Sequence, residues 1–236
     1  MAKEESTPLS ERLGSVVTRA ADETAVGWFS ARLSALADGY DRNVFLAAYA
    51  GAGRRLRTFE AQPSSADIGH ARKLGVYSLG DWSLDRFARC ALIAAVLEAV
   101  PDAEHAEIVD EVYRTGDNAE REALLAGLAL FPDPQRFLTT AIESCRVNVE
   151  TVFAALACEN AYPSLYFADA NFNQMVMKAV FIGVSLTRVV GLEDRANAEL
   201  SRMARHHASE RTAAGRSVPA DLDLISSTPD TTVEPA

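Results

Sequence analysis

Apolar residues recur at spacings of three and four along almost the whole of this 236-residue chain. No run of alternating β-branched residues bounded by turns interrupts them. That period lines up apolar side chains on one face of a helix, so the expected fold is all-α. Thr7-Pro8 reads as a cap followed by proline at the first helical position, opening a helix that runs to about residue 21. Asp22 caps the next, whose Val26, Phe29, Leu33 and Leu36 share a face. A short helix carries Val44, Leu46 and Tyr49. Residues 51–80, with "GAGRRLRTF", "AQPSSAD" and "GVYSLGDW", read as a long connection holding one short helix near 68–74. Further helices are predicted over 83–99, 103–115, 118–130, 134–145 and 147–158, separated by "VPDAE", "TGDN" and "FPDP". "NAYPSLYFADA" reads as a loop, followed by helices over about 171–189 and 193–214. Short turns between antiparallel pairs imply a multi-helix bundle or a HEAT-like stack. Residues 1–216 are expected to form a single all-α domain. Residues 217–236, polar and proline-bearing, are expected to be a flexible C-terminal tail.

The formal net charge of −10 argues against a nucleic-acid binder, which would carry a basic stripe, and against docking on anionic lipid. Cys90, Cys145 and Cys158 show no CxxC spacing, which fits buried thiols in a reducing compartment. The first residues lack the apolar region of a secretory signal, and the longest apolar run, residues 90–97, is too short to span a membrane. The expectation is a soluble, cytoplasmic protein with no membrane span.

"ENAYPSLYFADANFNQMVMKAVF", residues 159–181, mixes amides and a lysine into an apolar stretch. On a helix, Gln174 and Lys178 lie four apart and share a face, while Phe172, Met175, Val176 and Ala179 form an apolar stripe. Residues 153–181 hold six of the eighteen aromatics: Phe153, Tyr162, Tyr166, Phe167, Phe172 and Phe181. Two readings stand side by side. One is an aromatic-lined pocket with Asn160, Tyr162, Asn173, Gln174 and Lys178 at its edge, the usual form of a small-molecule site. The other is a structural amide network that satisfies buried backbone groups.

Arg146 and Asn148, in "ESCRVNVE", admit two readings as well. Arg146 either joins Lys178 and Arg195 in an anion clamp or pairs with Glu143 on the surface, and the surface pair is favoured. His206 and Glu210 lie four apart in "HHASER", but adjacent histidines point in different directions. A solvated helix face is expected there, and no metal is assigned. "DAEHAEIVDE" places Glu104, Glu107 and Glu111 on another solvated face. The chain carries no glycine-rich phosphate loop, no Asp-rich diphosphate motif and no nucleophile motif. No cofactor and no catalytic residue is assigned.

Six ordered blocks resemble the EboA family: "GDWSLDRFARCAL", "RTGDNAEREALLAGLALFPDP", "AIESCRVNVETVFAALACENAYP", "FNQMVMKAVF", "LTRVVGLEDRANAELSRM" and "ERTAAGR". They cover about residues 80–216; the N-terminal part agrees loosely. The chain departs from the family pattern at Ala161, where the family has proline, and at Phe172, where it has tryptophan. It departs again at His206, His207, Ala208 and Ser209. The resemblance implies a setting among genes for a prenyltransferase, a sugar cyclase and metal-dependent hydrolases of specialised metabolism. It implies traffic of precursors, and no particular reaction.

The leading expectation is therefore an accessory or ligand-binding protein of specialised-metabolite biosynthesis. Its expected ligand is a small molecule, apolar or prenylated, with an anionic group. The alternatives are an enzyme acting on an apolar or prenylated substrate in an aromatic-lined pocket, and a helical scaffold for other biosynthetic pathway proteins. The expected ligand-binding residues are Arg146, Asn148, Asn160, Tyr162, Asn173, Gln174, Lys178, Arg195 and Glu210.

Overall fold

A computed structural model describes residues 7–226. It contains fourteen α-helices among the described residues and no strand, joined by short 3₁₀ turns and one isolated backbone bridge. The N-terminal helices are α1 (Leu9–Ala20), α2 (Glu23–Asp38), α3 (Arg42–Leu56) and α4 (Ser65–Lys73). The middle of the chain forms α5 (Leu84–Ala99), α6 (His105–Thr115), α7 (Asn118–Gly127), α8 (Leu138–Ser144) and α9 (Glu150–Ala157). The last are α10 (Tyr162–Tyr166), α11 (Asp169–Ile182), α12 (Leu192–Arg195), α13 (Ala198–Ala213) and α14 (Asp223–Ser226).

Capping follows the sequence at Asp22 and departs from it at Thr7-Pro8, where Pro8 itself is the N-cap of α1 and no side chain caps the helix. Asp22 accepts from Ala25 N at 2.8 Å, and Asp41 accepts from Asn43 N and Val44 N. Ser64 with Asp67, and Asp117 with Glu120, close reciprocal capping boxes that satisfy otherwise orphaned amides. Helix α5 is the axis of the molecule. Every residue from Phe87 to Leu97 is buried, because α1, α2, α3 and α7 pack around it. A helix apolar on all sides has to be enclosed in this way. Packing of α1 against α5, with three helices between them in sequence, is the geometry of a bundle, since stacked repeats touch only their neighbours.

The structure corrects three of the expected boundaries. Helix α3 continues through "GAGRRL" to Leu56, so the irregular connection is shorter than 51–80. Its glycines are accommodated because they face the packed helix surface. "NAYPSLYFADA" holds a short helix, α10, with Pro163 in its first turn. Third, residues 217–226 do not behave as a tail. Leu222 and Ile225 are fully buried, Ser201 Oγ donates to Ile225 O at 2.6 Å, and the Asp221 carboxylate accepts from Ser185 Oγ and Leu186 N at 2.7 Å. Two apolar residues three apart are enough to seat one turn on α13, and the surrounding polar residues conceal them in the sequence. The rest of the expected tail, 227–236, lies outside the described residues.

The connection after α4 is pinned to the segment before α10. Tyr77 N donates to Glu159 O at 2.9 Å, and Ala161 N donates to Gly75 O at 2.7 Å. Glu159 takes a positive φ of 49° there and grips Arg188 with both carboxylate oxygens, at 2.8 and 2.9 Å.

Candidate functional site

Helix α11 decides how the amide-rich stretch is used. Its stripe of Phe172, Met175, Val176 and Ala179 is fully buried, which turns Gln174 and Lys178 outward on the opposite ridge. The chain just after α8 runs alongside that ridge. Arg146 N and Val147 N close tight turns on Glu143 O and Ser144 O, leaving the Cys145 and Arg146 side chains facing α11. Between them lies a cleft of 410 Å³. Ile142, Cys145, Phe167 and Met175 form its apolar surfaces, and Arg146, Asn171, Gln174 and Lys178 its polar ones.

Lys178 is held in place. Its Nζ donates to Val147 O at 2.6 Å and lies 5.5 Å from the centre of the Phe153 ring. An ammonium has three donors, so this anchoring leaves two for a ligand. Arg146 and Gln174 are exposed, and their side chains have no protein partner among the described residues. In particular, Arg146 forms no ion pair with Glu143. Burial pushes the Cys145 thiol up to about 12, against the pull of the nearby Lys178 charge. The thiol therefore stays neutral near pH 7 and contributes an apolar, polarisable wall.

The other expected site residues lie elsewhere. Asn160 is buried and spent on the backbone: its Nδ2 donates to Leu125 O at 3.3 Å and its Oδ1 accepts from Tyr162 N at 2.9 Å. Tyr162 donates its hydroxyl to Pro134 O at 2.7 Å. Asn173 pairs with Asn197. Arg195 is outside the cleft and forms no clamp with Arg146 and Lys178. It donates to Ser164 O, to Phe167 O at 2.8 Å and to Asp169 Oδ1 at 2.9 Å, and stacks 4.7 Å over Phe172. Its contribution is indirect, since it fixes the segment that carries Phe167. Asn148 is exposed and does not line the cleft, and Glu210 is exposed 3.8 Å from His206.

The cleft is not aromatic-lined as expected. Phe153, Tyr162 and Phe172 belong to the core, Phe181 is 79% exposed, and Phe167 alone of the six faces the cleft. Asn171, Cys145 and Ile142 were missed by the sequence reading. Asn171 was legible in principle, because it lies three before Gln174 on the same ridge. A second, larger furrow of 610 Å³ between α1, α2 and α5 involves none of the expected ligand-binding residues. Among the described residues no group of three or more His, Cys, Asp or Glu is placed to hold a metal, and no helix is long and apolar enough to cross a membrane.

Fold and cleft together define an all-α protein with a small, polar-edged cleft between α8 and α11. The chain belongs to the EboA family: the family model described as "Metabolite traffic protein EboA" matches residues 9–225. The match takes in the N-terminal helices as well as the region from 80 to 216 that carried the sequence resemblance. No curated protein and no solved structure matches the chain.

Proposed function

We propose that this chain is a cytoplasmic accessory protein of specialised-metabolite biosynthesis that binds a small metabolite in the cleft between α8 and α11. The metabolite carries an anionic group for Arg146 and Lys178 and an apolar body for Phe167 and Met175. One observation carries this reading: an unpartnered guanidinium, an unpartnered amide and an anchored ammonium converge over a buried apolar floor. Guanidinium and ammonium groups suit a carboxylate or phosphate, and the floor suits hydrocarbon. The family description, metabolite traffic, agrees with a small-molecule partner.

The test is thermal unfolding against carboxylates, sugar phosphates, cyclitols, prenyl diphosphates and their uncharged counterparts. A compound bound only by the folded state, at a hundred times its dissociation constant, adds about 2.7 kcal/mol. An anionic class is expected to raise Tm in the native chain and to lose that effect in Arg146→Met and Gln174→Ala. A shift that survives both substitutions, or no shift from any anion, sinks the proposal.

A docking role has one observation of its own. Phe181 follows Lys178 by three residues on α11 and is 79% exposed, an unusual position for a large apolar side chain. Loss of co-purifying pathway proteins from Phe181→Ser, with folding intact, supports that role. Unchanged or absent co-purification removes it.

A further inference from the structure

The 610 Å³ furrow lies away from the cleft and calls for an occupant of different chemistry. Helices α1 and α2 each pack chiefly on α5 and meet each other at Gly14, where a Cβ would stand 3.3 Å from Phe29 and Leu33, so the furrow is an open trough along their outer edges with the last turns of α5 at one side. Leu33 and Ala37 line one wall over the buried Phe29, Ser15 and Thr18 line the other beside the buried Gly14, and Ala95 lies beneath. The volume falls within the roughly 300–1,000 Å³ of small-molecule sites. The lining of α1 runs from Ser10 to Thr18, a length of about 12 Å at 1.5 Å per residue, close to that of a ten-carbon chain.

The charge of the furrow has one sign. Among the described residues Glu11 and Glu98 are its charged lining residues, and neither lysine nor arginine lines it. Glu98 is fixed at one end, where its carboxylate accepts from Ser10 N at 3.1 Å and from the Ser10 hydroxyl. Glu11 has no protein partner among the described residues. The hydroxyls of Ser30 and Ser34, one turn apart on the wall of α2, are likewise free of protein partners. An anion entering here meets two carboxylates beside an apolar surface, whereas a cation is drawn to them.

We propose that the furrow is a second ligand site, for an elongated apolar molecule bearing an ammonium at the end held by Glu11 and Glu98. It selects the charge opposite to that of the cleft at Lys178, and it does not depend on the cleft being a binding site.

The experiment is calorimetric titration of the full chain, carrying Arg146→Met so that the cleft loses its guanidinium, with decylammonium and with decyl sulfate, which share a tail and differ in head, both well below micelle formation. Decylammonium is expected to saturate at one per chain and decyl sulfate to bind about tenfold more weakly or worse. Ser34→Trp, at an exposed position, fills the furrow and should abolish decylammonium binding. Ser30→Phe serves the same purpose if Ser34→Trp fails to fold by circular dichroism. Glu11→Gln should narrow the preference to a few-fold, and Glu199→Gln on the exposed face of α13, which lines neither the furrow nor the cleft, should leave it unchanged. The proposal is overturned by equal binding of the two surfactants, by many per chain, or by binding that persists in the filled furrow. It is also overturned if decylammonium does not bind and a lysine-bearing amphipathic peptide does, which would assign the furrow to a protein partner.

Discussion

Asn173 on α11 and Asn197 at the start of α13 exchange two amide hydrogen bonds, Nδ2 of each to Oδ1 of the other, at 3.0 and 3.1 Å. Asn197 Oδ1 also accepts from Leu200 N at 2.9 Å, so one side chain caps α13 and ties it to α11. Asn173 is 2% exposed, whereas its neighbour Gln174 points into solvent. Asn173→Ala is therefore expected to cost about 1–3 kcal/mol, the penalty for stranding a buried polar partner. Gln174→Ala should stay within about 0.5 kcal/mol of the native chain. Urea unfolding of both variants checks this, and equal losses would contradict the division between structural and cleft-facing amides.

Arg89 and Asp85 form an ion pair inside the molecule, both about 2% exposed, with Arg89 Nε also donating to Tyr49 O at 3.3 Å. Gly53 makes room for it: a Cβ there would stand 2.8 Å from Arg89 Nη2. The guanidinium cannot swing aside without breaking its hold on Asp85. Gly53→Ala should therefore lower Tm, an overpacking cost of about 1–3 kcal/mol exceeding the helix-propensity gain of about 1 kcal/mol. Gly27→Ala in α2 meets no atom within 4 Å and should raise Tm instead. The pair of opposite shifts is the readout.

Removing Arg89 itself is more severe. Arg89→Met leaves the Asp85 carboxylate buried, with Arg57 3.6 Å away as its remaining cation. The expected cost is about 3–5 kcal/mol, as for other buried pairs broken on one side. Replacing both residues by apolar ones of similar volume should recover much of that loss, and a double-mutant cycle measures how much.

Gly75 and Gly183 both have positive φ, 90° and 81°. A Cβ at Gly183 meets nothing within 4 Å, so Gly183→Ala should cost about 1–2 kcal/mol of backbone strain alone. A Cβ at Gly75 would lie 2.7 Å from Ala161 Cβ. Gly75→Ala should add about 1–3 kcal/mol of overpacking and part the connection from the segment before α10. Faster amide hydrogen exchange at Tyr77 and Ala161, whose N–H groups make that junction, would report it.

Cys145 gives the pH dependence of the cleft. Its thiol is raised to about 12 by burial, so the reactive thiolate is scarce at pH 8. Alkylation by iodoacetamide should be slow there and speed up about tenfold per pH unit toward 11. Peptide mass spectrometry follows the modification. Fast alkylation at pH 7 would show that the thiol is not buried as described. A ligand seated against Met175 and Lys178 should protect it at every pH.

The sequence alone determined the helical class, because a period of three to four in the apolar residues is a local property that survives without any knowledge of neighbours. It determined the cap at Asp22 and the shared ridge of Gln174 and Lys178, which depend on residues within about one turn of each other. It also carried the family, through ordered blocks of residues. Tertiary structure decided everything that rests on distant pairs. Asn173 meets Asn197, Lys178 meets Val147 and Arg195 meets Ser164 across 24 to 31 positions, and nothing local marks those partners. Those meetings turn Asn160, Asn173 and Arg195 into framework and leave Arg146 and Gln174 free beside the anchored Lys178. Side chains of one type thus divide between fold and cleft according to which backbone atoms the packing brings near them.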